Sequence, residues 1–254
     1  MNKTAGRIRR MEEILEERKT LPVKTMAELL DVSEMTVRRD LSSAKENTSI
    51  RNIRGMLIFE PSGGTRYSVS DAMDANSSEK IRIGEAAASM VKENDVIMLD
   101  IGSTTECAAR ALRQDLKATV ICTGYNALTY LTQKKSLKIF CTGGEFHSDT
   151  QLLESSESIE FLKRIRATRL FASAAGIHKQ LGVTCVNSYE APVKQALIAS
   201  SAERILLVDS SKFGCVQSSC FTDITCYQKV ITDVGIAPEW EEYLVEKGVE
   251  VIKV

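Results

Sequence analysis

The sequence predicts a two-part α/β protein: a winged helix-turn-helix head followed by a mostly parallel α/β domain. Three observations predict it. Residues 1–60 carry three short amphipathic helical patterns and then a hairpin pattern. Residues 79–254 alternate apolar strand runs with helical runs, as in a parallel sheet covered on both faces. Residues 61–78, between them, are rich in Ser, Gly, Asp and Asn and contain Pro61-Ser62-Gly63-Gly64. That stretch reads as a linker, with the domain boundary near residue 75.

In the head, Ile8, Met11 and Leu15 recur at helical spacing amid Arg7, Arg9, Arg10 and several glutamates. Pro22 ends the following turn, and Val23, Ala27 and Leu30 mark a short second helix. Asp31-Val32 makes a tight connection into a third helix, where Ser33 is a favoured N-cap. At 3.6 residues per turn Val37, Leu41 and Ala44 share an inward face. Met35, Arg39 and Ser42 then point outward, flanked by Thr36 and Arg38. Guanidinium forks suit phosphates and guanine edges, and methyl and hydroxyl groups suit thymine or phosphate. That face fits double-stranded DNA. Ile50 to Phe59 is apolar on both sides of Arg54-Gly55, a hairpin that would be the wing.

In the second domain, strands are predicted at 96–100, 119–122, 138–142, 170–175, 204–209, 229–232 and 249–254. Helices are predicted at 79–92, 104–113, 125–133, 155–165, 189–202 and 238–247. Ligands of open parallel sheets bind where strand ends lead into helix N-termini. Asp100-Ile101-Gly102-Ser103-Thr104-Thr105 is such a junction, able to cradle an anion on hydroxyls and first-turn amides, or simply to turn and cap a helix. It is not a nucleotide P-loop, because no Gly-Lys-Ser/Thr follows. Gly143-Gly144, after Thr142, could bring amides to a phosphate or form a plain tight turn. Asp209-Ser210-Ser211-Lys212 sets a carboxylate beside a cation. Glu190 and Lys194 lie four apart on one helix, a spacing that by default is an exposed pair. His147 and His178 follow strands and could meet a sugar hydroxyl, with a structural role as the default. Phe146 and Phe213 read as packing residues. The convergence of polar strand ends suggests a small polyhydroxylated anion.

Composition narrows the partners. A formal net charge of -1 gives no chain-wide pull toward nucleic acid, so DNA attraction must be local. No apolar run approaches the roughly 20 residues that span a bilayer, and the polar start lacks a secretory core. Seven cysteines without regular spacing argue against a disulfide framework and fit a reducing cytoplasm. Cys215, Cys220 and Cys226 cluster, but no Cys-x-x-Cys pair accompanies them and no metal site is expected.

These residues carry a resemblance. Arg7, Met11, Leu15, Ser33, Thr36, Val37, Arg38, Arg39, Asp40 and Leu41 fall at the spacing of the DeoR-type helix-turn-helix signature. The remainder resembles that family's sugar-phosphate-sensing domain, marked by Asp100-x-Gly-Ser-Thr-Thr, Thr142-Gly-Gly, Gly182-x-Thr with Glu190 and Lys194, and Asp209-x-Ser-Lys212. The resemblance implies an isomerase/CoA-transferase-like fold and a DNA-binding transcriptional repressor without a cofactor. On the residues' own chemistry Arg7, Arg9 and Arg10 are candidates for phosphates, Thr36, Arg38 and Arg39 for DNA, and Asp40 for a bracing charge pair. One short helix reads too few bases, so a homo-oligomer is expected. The runs Cys141–His147, Ser173–His178, Thr184–Asn187, Glu190–Lys194 and Val208–Gly214, with the wing run Arg54–Pro61, narrow the resemblance to members governing deoxyribonucleoside catabolism. Deoxyribose 5-phosphate is then the implied effector, with another sugar phosphate as the alternative. An isomerase is disfavoured because Ser173-Ala174-Ala175 offers no carboxylate to shuttle a proton.

Overall fold

The computed structural model describes residues 3–44, 48–59 and 68–254, with the side chains of 70–72 left aside. The Pro61–Gly64 run, Glu60 and Pro61 of the wing run, and the rest of residues 60–67 lie outside the described residues. The chain divides into two compact units, residues 1–65 with 214–216 and residues 66–213 with 217–254.

The first unit contains α1 (Lys3–Arg18), β1 (Thr20–Pro22), α2 (Val23–Leu29), α3 (Glu34–Ala44), β2 (Ile50–Ile53) and β3 (Met56–Phe59). Met11, Leu15, Val23, Met26, Val37 and Leu57 form its core. Asp31 takes a left-handed φ of 52°, which turns the chain from α2 toward α3. The Ser33 hydroxyl then accepts the Thr36 amide at 3.2 Å, capping α3 as its sequence predicts. The wing turns through Arg54 and Gly55, both with positive φ, the pairing that matches hairpin twist. Pro22 does more than end a turn: it closes β1, which pairs antiparallel with β3 in a three-stranded sheet. Leu41 and Ala44, predicted inward, are only half-buried. Asp40 takes the inner place because Arg7 neutralises it.

The second unit begins with α4 (Val69–Asp74) and α5 (Ser77–Ser89). The stretch 61–78, read as linker, is thus partly helical. Polar composition hid a helix held by the burial of Val69. There follow β4 (Val96–Leu99), α6 (Ser103–Ala111), β5 (Thr119–Cys122), α7 (Tyr125–Leu131), β6 (Lys138–Cys141), β7 (Glu145–Phe146), β8 (Leu153–Glu154), α8 (Ser156–Arg164) and β9 (Ala167–Ser173). Then come β10 (Gly176–His178), β11 (Gly182–Cys185), α9 (Glu190–Ala199), β12 (Ser201–Leu207), β13 (Ser219–Thr222), β14 (Lys229–Thr232), α10 (Pro238–Glu246) and β15 (Glu250–Lys253).

Seven strands form one sheet in the order β15-β14-β12-β9-β4-β5-β6, every pair parallel. Two apolar clusters cover its faces. One centres on Leu170, Leu206 and Val230, the other on Ile97, Val120 and Ile205. The chain winds outward from β4 through β5 to β6, then restarts at β9 and winds the other way. The gap between the ends of β4 and β9 is therefore the switch point at which such sheets hold ligands. Sequence reading missed the small antiparallel sheet β10-β11-β13 and the β7-β8 hairpin. It also ran the helix before β12 on through Ser201, which already pairs with Ala167. Phe213 packs against Trp240 with ring centroids 5.4 Å apart, whereas Phe146 is 49% exposed and does not fill a core.

Asp40 braces the head. Arg7 Nε and Nη2 donate to its two carboxylate oxygens at 2.6 and 3.0 Å, and Thr4 Oγ1 adds a 3.4 Å contact. The guanidinium holds the Asp40 carboxyl below its ordinary range, through hydrogen bonding first and charge second. Asp40→Ala is expected to destabilise the head by about 1–3 kcal/mol, the usual range for losing a charged hydrogen-bonded partner. Because the folded-state pKa is depressed, this stabilisation is present above the ordinary carboxylate range and is lost as pH falls through the depressed value. Denaturant titrations of both proteins at neutral and strongly acidic pH check it: the gap should close in acid.

Candidate functional site

The cavity at the switch point is walled by Ile101, Gly102, Ser103, Thr104, Ser173 and Ala174 from the ends of β4 and β9. Glu190 and Lys194 of α9, and Asp209 and Lys212 beyond β12, complete its charged wall. Thr150, Cys185 and Gln217, which sequence reading did not single out, also line it. Its volume is about 150 Å³. Drug-sized ligands need roughly 300–1,000 Å³, so this space suits a small molecule.

Underneath lies a buried charge pair. Lys194 Nζ donates to Asp100 Oδ2 at 2.6 Å and to the Ser173 carbonyl at 3.2 Å. Asp100 also accepts the Ser173 amide at 3.0 Å and, through Oδ1, the Ile101 amide at 2.9 Å. The side chains of Lys194 and Asp100 are 3% and 1% exposed. Burial opposes the charge on Lys194, but the carboxylates of Asp100 and Glu190 outweigh it and hold its pKa above the ordinary amine value. The pair at 190 and 194 is thus not the exposed surface pair its spacing suggests. Glu190 is itself buried, and burial pushes its carboxyl up, although Lys194 pulls the other way. Its Oε1 accepts the Asn187 amide at 2.9 Å.

Gly102 adopts φ 140°, and a Cβ there would lie 2.6 Å from Ser173 Oγ, so only glycine fits. Ser103 and Thr104 open α6 on the cavity wall with no side-chain cap, so its first amides are unclaimed by a capping side chain. Thr105 has a different role from the one predicted. It is fully buried and donates to the Gly102 carbonyl at 3.0 Å, holding the loop rather than lining the cavity. Asn126 steadies the same carbonyl from α7 at 3.1 Å. Asp209 Oδ2 is buried without a hydrogen-bond partner among the described residues, while Oδ1 accepts from Asn76, the Ser211 amide and the Ser211 hydroxyl. Lys212 stands on the rim and forms no ion pair among the described residues.

Gly143 and Gly144 are not part of the cavity wall. Both have positive φ, and a Cβ on Gly144 would strike the Glu154 carbonyl at 2.3 Å. They make the tight turn from β6 into the β7-β8 hairpin. His178 is structural: its Nδ1 accepts the Gln180 and Leu181 amides at 3.1 and 3.2 Å. His147 stacks on Tyr189 with ring centroids 3.8 Å apart. Cys185 is buried, and burial pushes its thiol up to about 12. No group of three His, Cys, Asp or Glu residues is arranged to hold a metal among the described residues.

In the head, Met35 is 72% exposed, and Arg38, Arg39 and Ser42 are exposed beside it on α3. Arg38 lies 3.6 Å from Glu34, and Ser42 Oγ donates back to the Arg38 carbonyl at 2.8 Å. Thr36 is half-buried, its hydroxyl 2.9 Å from that of Ser33. Arg54 is exposed at the wing tip. Arg9 and Arg10 are exposed with loose contacts to Glu13, worth little in water. Arg7 needs correction: its guanidinium is committed to Asp40, so it braces the unit rather than waiting for a phosphate.

Residues 7–61 match the DeoR-like helix-turn-helix domain, and residues 75–234 match the DeoR C terminal sensor domain. The chain is similar to the deoxyribose operon repressor of Escherichia coli strain K12, 31% identical over 92% of this chain and 93% of the relative. It is also similar to the HTH-type transcriptional repressor GlcR of Bacillus subtilis strain 168, 27% identical over 94% of this chain and 92% of that one. Among solved structures, ribose 5-phosphate isomerase a from Methanocaldococcus jannaschii is 19% identical, covers 55% of each chain and has a TM-score of 0.41.

The two cavity lysines should separate on mutation. Lys194→Met leaves Asp100 charged and unpaired in the interior, and is expected to cost about 3–5 kcal/mol of stability. Lys212→Met at the rim should stay within about 0.5 kcal/mol of the parent. Urea denaturation of the two variants reads the difference, and equal costs would overturn the assignment of a structural and a free lysine.

Proposed function

The chain belongs to the DeoR family of transcriptional regulators, and on that premise we propose that it represses genes of deoxyribonucleoside catabolism until deoxyribose 5-phosphate fills the cavity. Membership makes it a DNA-binding repressor with a sensor domain, and a regulator rather than an enzyme. The specific effector is our reading. One observation carries it: a cavity of about 150 Å³ joins the uncapped N-terminus of α6 and Lys212 to the carboxylates of Glu190 and Asp209. The helix start and the lysine suit a phosphate, and the carboxylates suit sugar hydroxyls. Likeness to the deoxyribose operon repressor over nearly the whole chain favours deoxyribose among the sugars.

In this reading Ser103, Thr104 and Lys212 take the phosphate, and Glu190 and Asp209 accept hydroxyls. Asp100, Gly102, Thr105 and Lys194 hold the loops in place. In the head, Ser33 caps α3, while Met35, Thr36, Arg38, Arg39 and Ser42 face the major groove. Arg9, Arg10 and Arg54 meet backbone phosphates, whose contacts make affinity salt-dependent. A homo-oligomer, working in the cytoplasm on double-stranded operator DNA, supplies the second half-site that one helix cannot read. The effector releases DNA by binding the low-affinity conformation more tightly. The reading invokes no cofactor.

A second reading keeps the repressor and changes the sugar. GlcR matches as much of the chain as the deoxyribose repressor does, at a lower identity of 27% against 31%, and carboxylates accept hydroxyls from any sugar. Thermal unfolding separates the two readings. Deoxyribose 5-phosphate at 100 times its Kd adds about 2.7 kcal/mol, or roughly 5–10 °C for a chain of this size. A larger shift with ribose 5-phosphate or a hexose phosphate would replace the effector.

Separation of the two activities tests the rest. Arg38→Ala should weaken DNA binding by about 1–3 kcal/mol and leave effector binding intact. Lys212→Ala should keep DNA binding and lose induction. DNA mobility shifts with and without effector read both variants, and a folded variant that loses both activities would sink this division of labour.

A further inference from the structure

The chain enters the sensor domain through α4, and the residues at both ends of that helix are fastened to loops that wall the cavity. At its start, the Val69 amide donates to the Asp149 carbonyl at 2.8 Å, and the Val69 side chain is 2% exposed. Asp149 directly precedes Thr150 of the cavity wall, and its carboxylate accepts from the Tyr189 hydroxyl at 2.8 Å. Tyr189 in turn directly precedes Glu190. Past the other end of the helix, Asn76 Nδ2 donates to Asp209 Oδ1 at 3.0 Å and to Ser211 Oγ at 3.3 Å. Between these fastenings α4 packs against α6, whose first-turn residues Ser103 and Thr104 line the cavity.

Asn76 is placed unusually for its type. It occupies the N-cap position of α5, where asparagine ordinarily bonds a first-turn amide, yet its side chain caps nothing. It holds a left-handed φ of 52°, and its amide turns instead to the Asp209–Lys212 loop. Asp209 faces two ways. Its Oδ1 takes Asn76 and Ser211, whereas its buried Oδ2 has no partner among the described residues and belongs to a cavity-lining side chain.

We propose that α4 is a strap carrying the state of the cavity to the DNA-binding head, with Asn76 as the positioning residue that ties it to Asp209. This rests on reading the cavity as the effector site. A ligand hydroxyl donating to Asp209 Oδ2, with the phosphate on Lys212, re-seats the Asp209–Lys212 loop. The Asn76 fastening moves with that loop, and a strap moored also at Asp149 must change its course. The effector then favours one of two strap arrangements, and that difference in affinity is the coupling.

The test uses the full chain and Asn76→Gly. Glycine keeps the left-handed backbone and removes only the amide, so the fold is retained. The probes are deoxyribose 5-phosphate, ribose 5-phosphate and glucose 6-phosphate, with a fluorescent duplex selected from random DNA by the parent protein. For the parent, the most effective sugar phosphate should raise the DNA Kd by a factor on the order of 30, within the usual range of allosteric coupling. For Asn76→Gly, the Kd for that sugar phosphate and the DNA Kd without it should each stay within about threefold of the parent. The rise in DNA Kd should fall below about threefold. A variant that responds as fully as the parent overturns the strap alone. A parent whose DNA binding ignores all three sugar phosphates overturns the functional reading and the strap with it. A variant that instead loses sugar-phosphate binding makes Asn76 part of the cavity's support and overturns its coupling role.

Discussion

The sensor domain is organised around the buried contact between Asp100 and Lys194. Two charges taken out of water lose several kcal/mol of hydration each, and their mutual attraction offsets that loss only if the remaining lone pairs and protons are also satisfied. Most of them are: the carboxylate takes the amides of Ile101 and Ser173, and the ammonium also donates to the Ser173 carbonyl. The pair therefore fixes three elements at once, the ends of β4 and β9 and the body of α9. The wall formed by Gly102, Ser173 and the start of α6 follows from where those ends lie. Gly102 can pass within reach of Ser173 because both flanking loops are held by the same carboxylate, and α6 begins uncapped because Gly102 precedes it.

Much of this was legible in the sequence, for identifiable reasons. Strands buried on both faces read as continuous apolar runs, so all seven strands of the main sheet and the helices between them could be placed. The Asp100–Thr105 junction and Asp209–Lys212 could be singled out because a parallel sheet presents strand ends to one rim. What escaped was whatever depends on distant pairing. Asp100 and Lys194 lie 94 residues apart, so a four-residue spacing to Glu190 gave the wrong default of an exposed pair. Thr150 and Gln217 are single loop residues with no spacing to signal them. Gly143-Gly144 reads equally as a phosphate cradle or a plain turn, because the β7-β8 hairpin it leads into is too short to leave a periodic trace that would decide between them. The strands at 176–178, 182–185 and 219–222 are likewise brief and mixed in polarity.

The head shows the same division between local and distant information. Capping by Ser33 and the Arg54-Gly55 turn are local chemistry and could be read directly. The fate of Arg7 could not, since a basic residue on the first helix looks available until a carboxylate 33 positions away claims it. Asp40 was expected to form a charge pair, and its burial explains why α3 presents Met35, Arg38 and Arg39 outward rather than rolling. Arg9 and Arg10 on α1 and Arg38 and Arg39 on α3 remain exposed, as do Lys3 and Arg18 at the two ends of α1.

Lys194 and Cys185 have a chemical consequence beyond architecture. An aldose phosphate exposes an aldehyde whenever its ring opens, and a neutral amine or thiolate beside it would capture that carbon as an imine or thiohemiacetal. Lys194 is kept protonated by Asp100 and Glu190, and the Cys185 thiol is pushed up to about 12, so neither offers a nucleophile near neutral pH. On the side of these two groups the cavity is inert to the reactive form of such a ligand. If the proposed sugar phosphate is the effector, it is held there by hydrogen bonds and charge alone, with no covalent bond to either side chain.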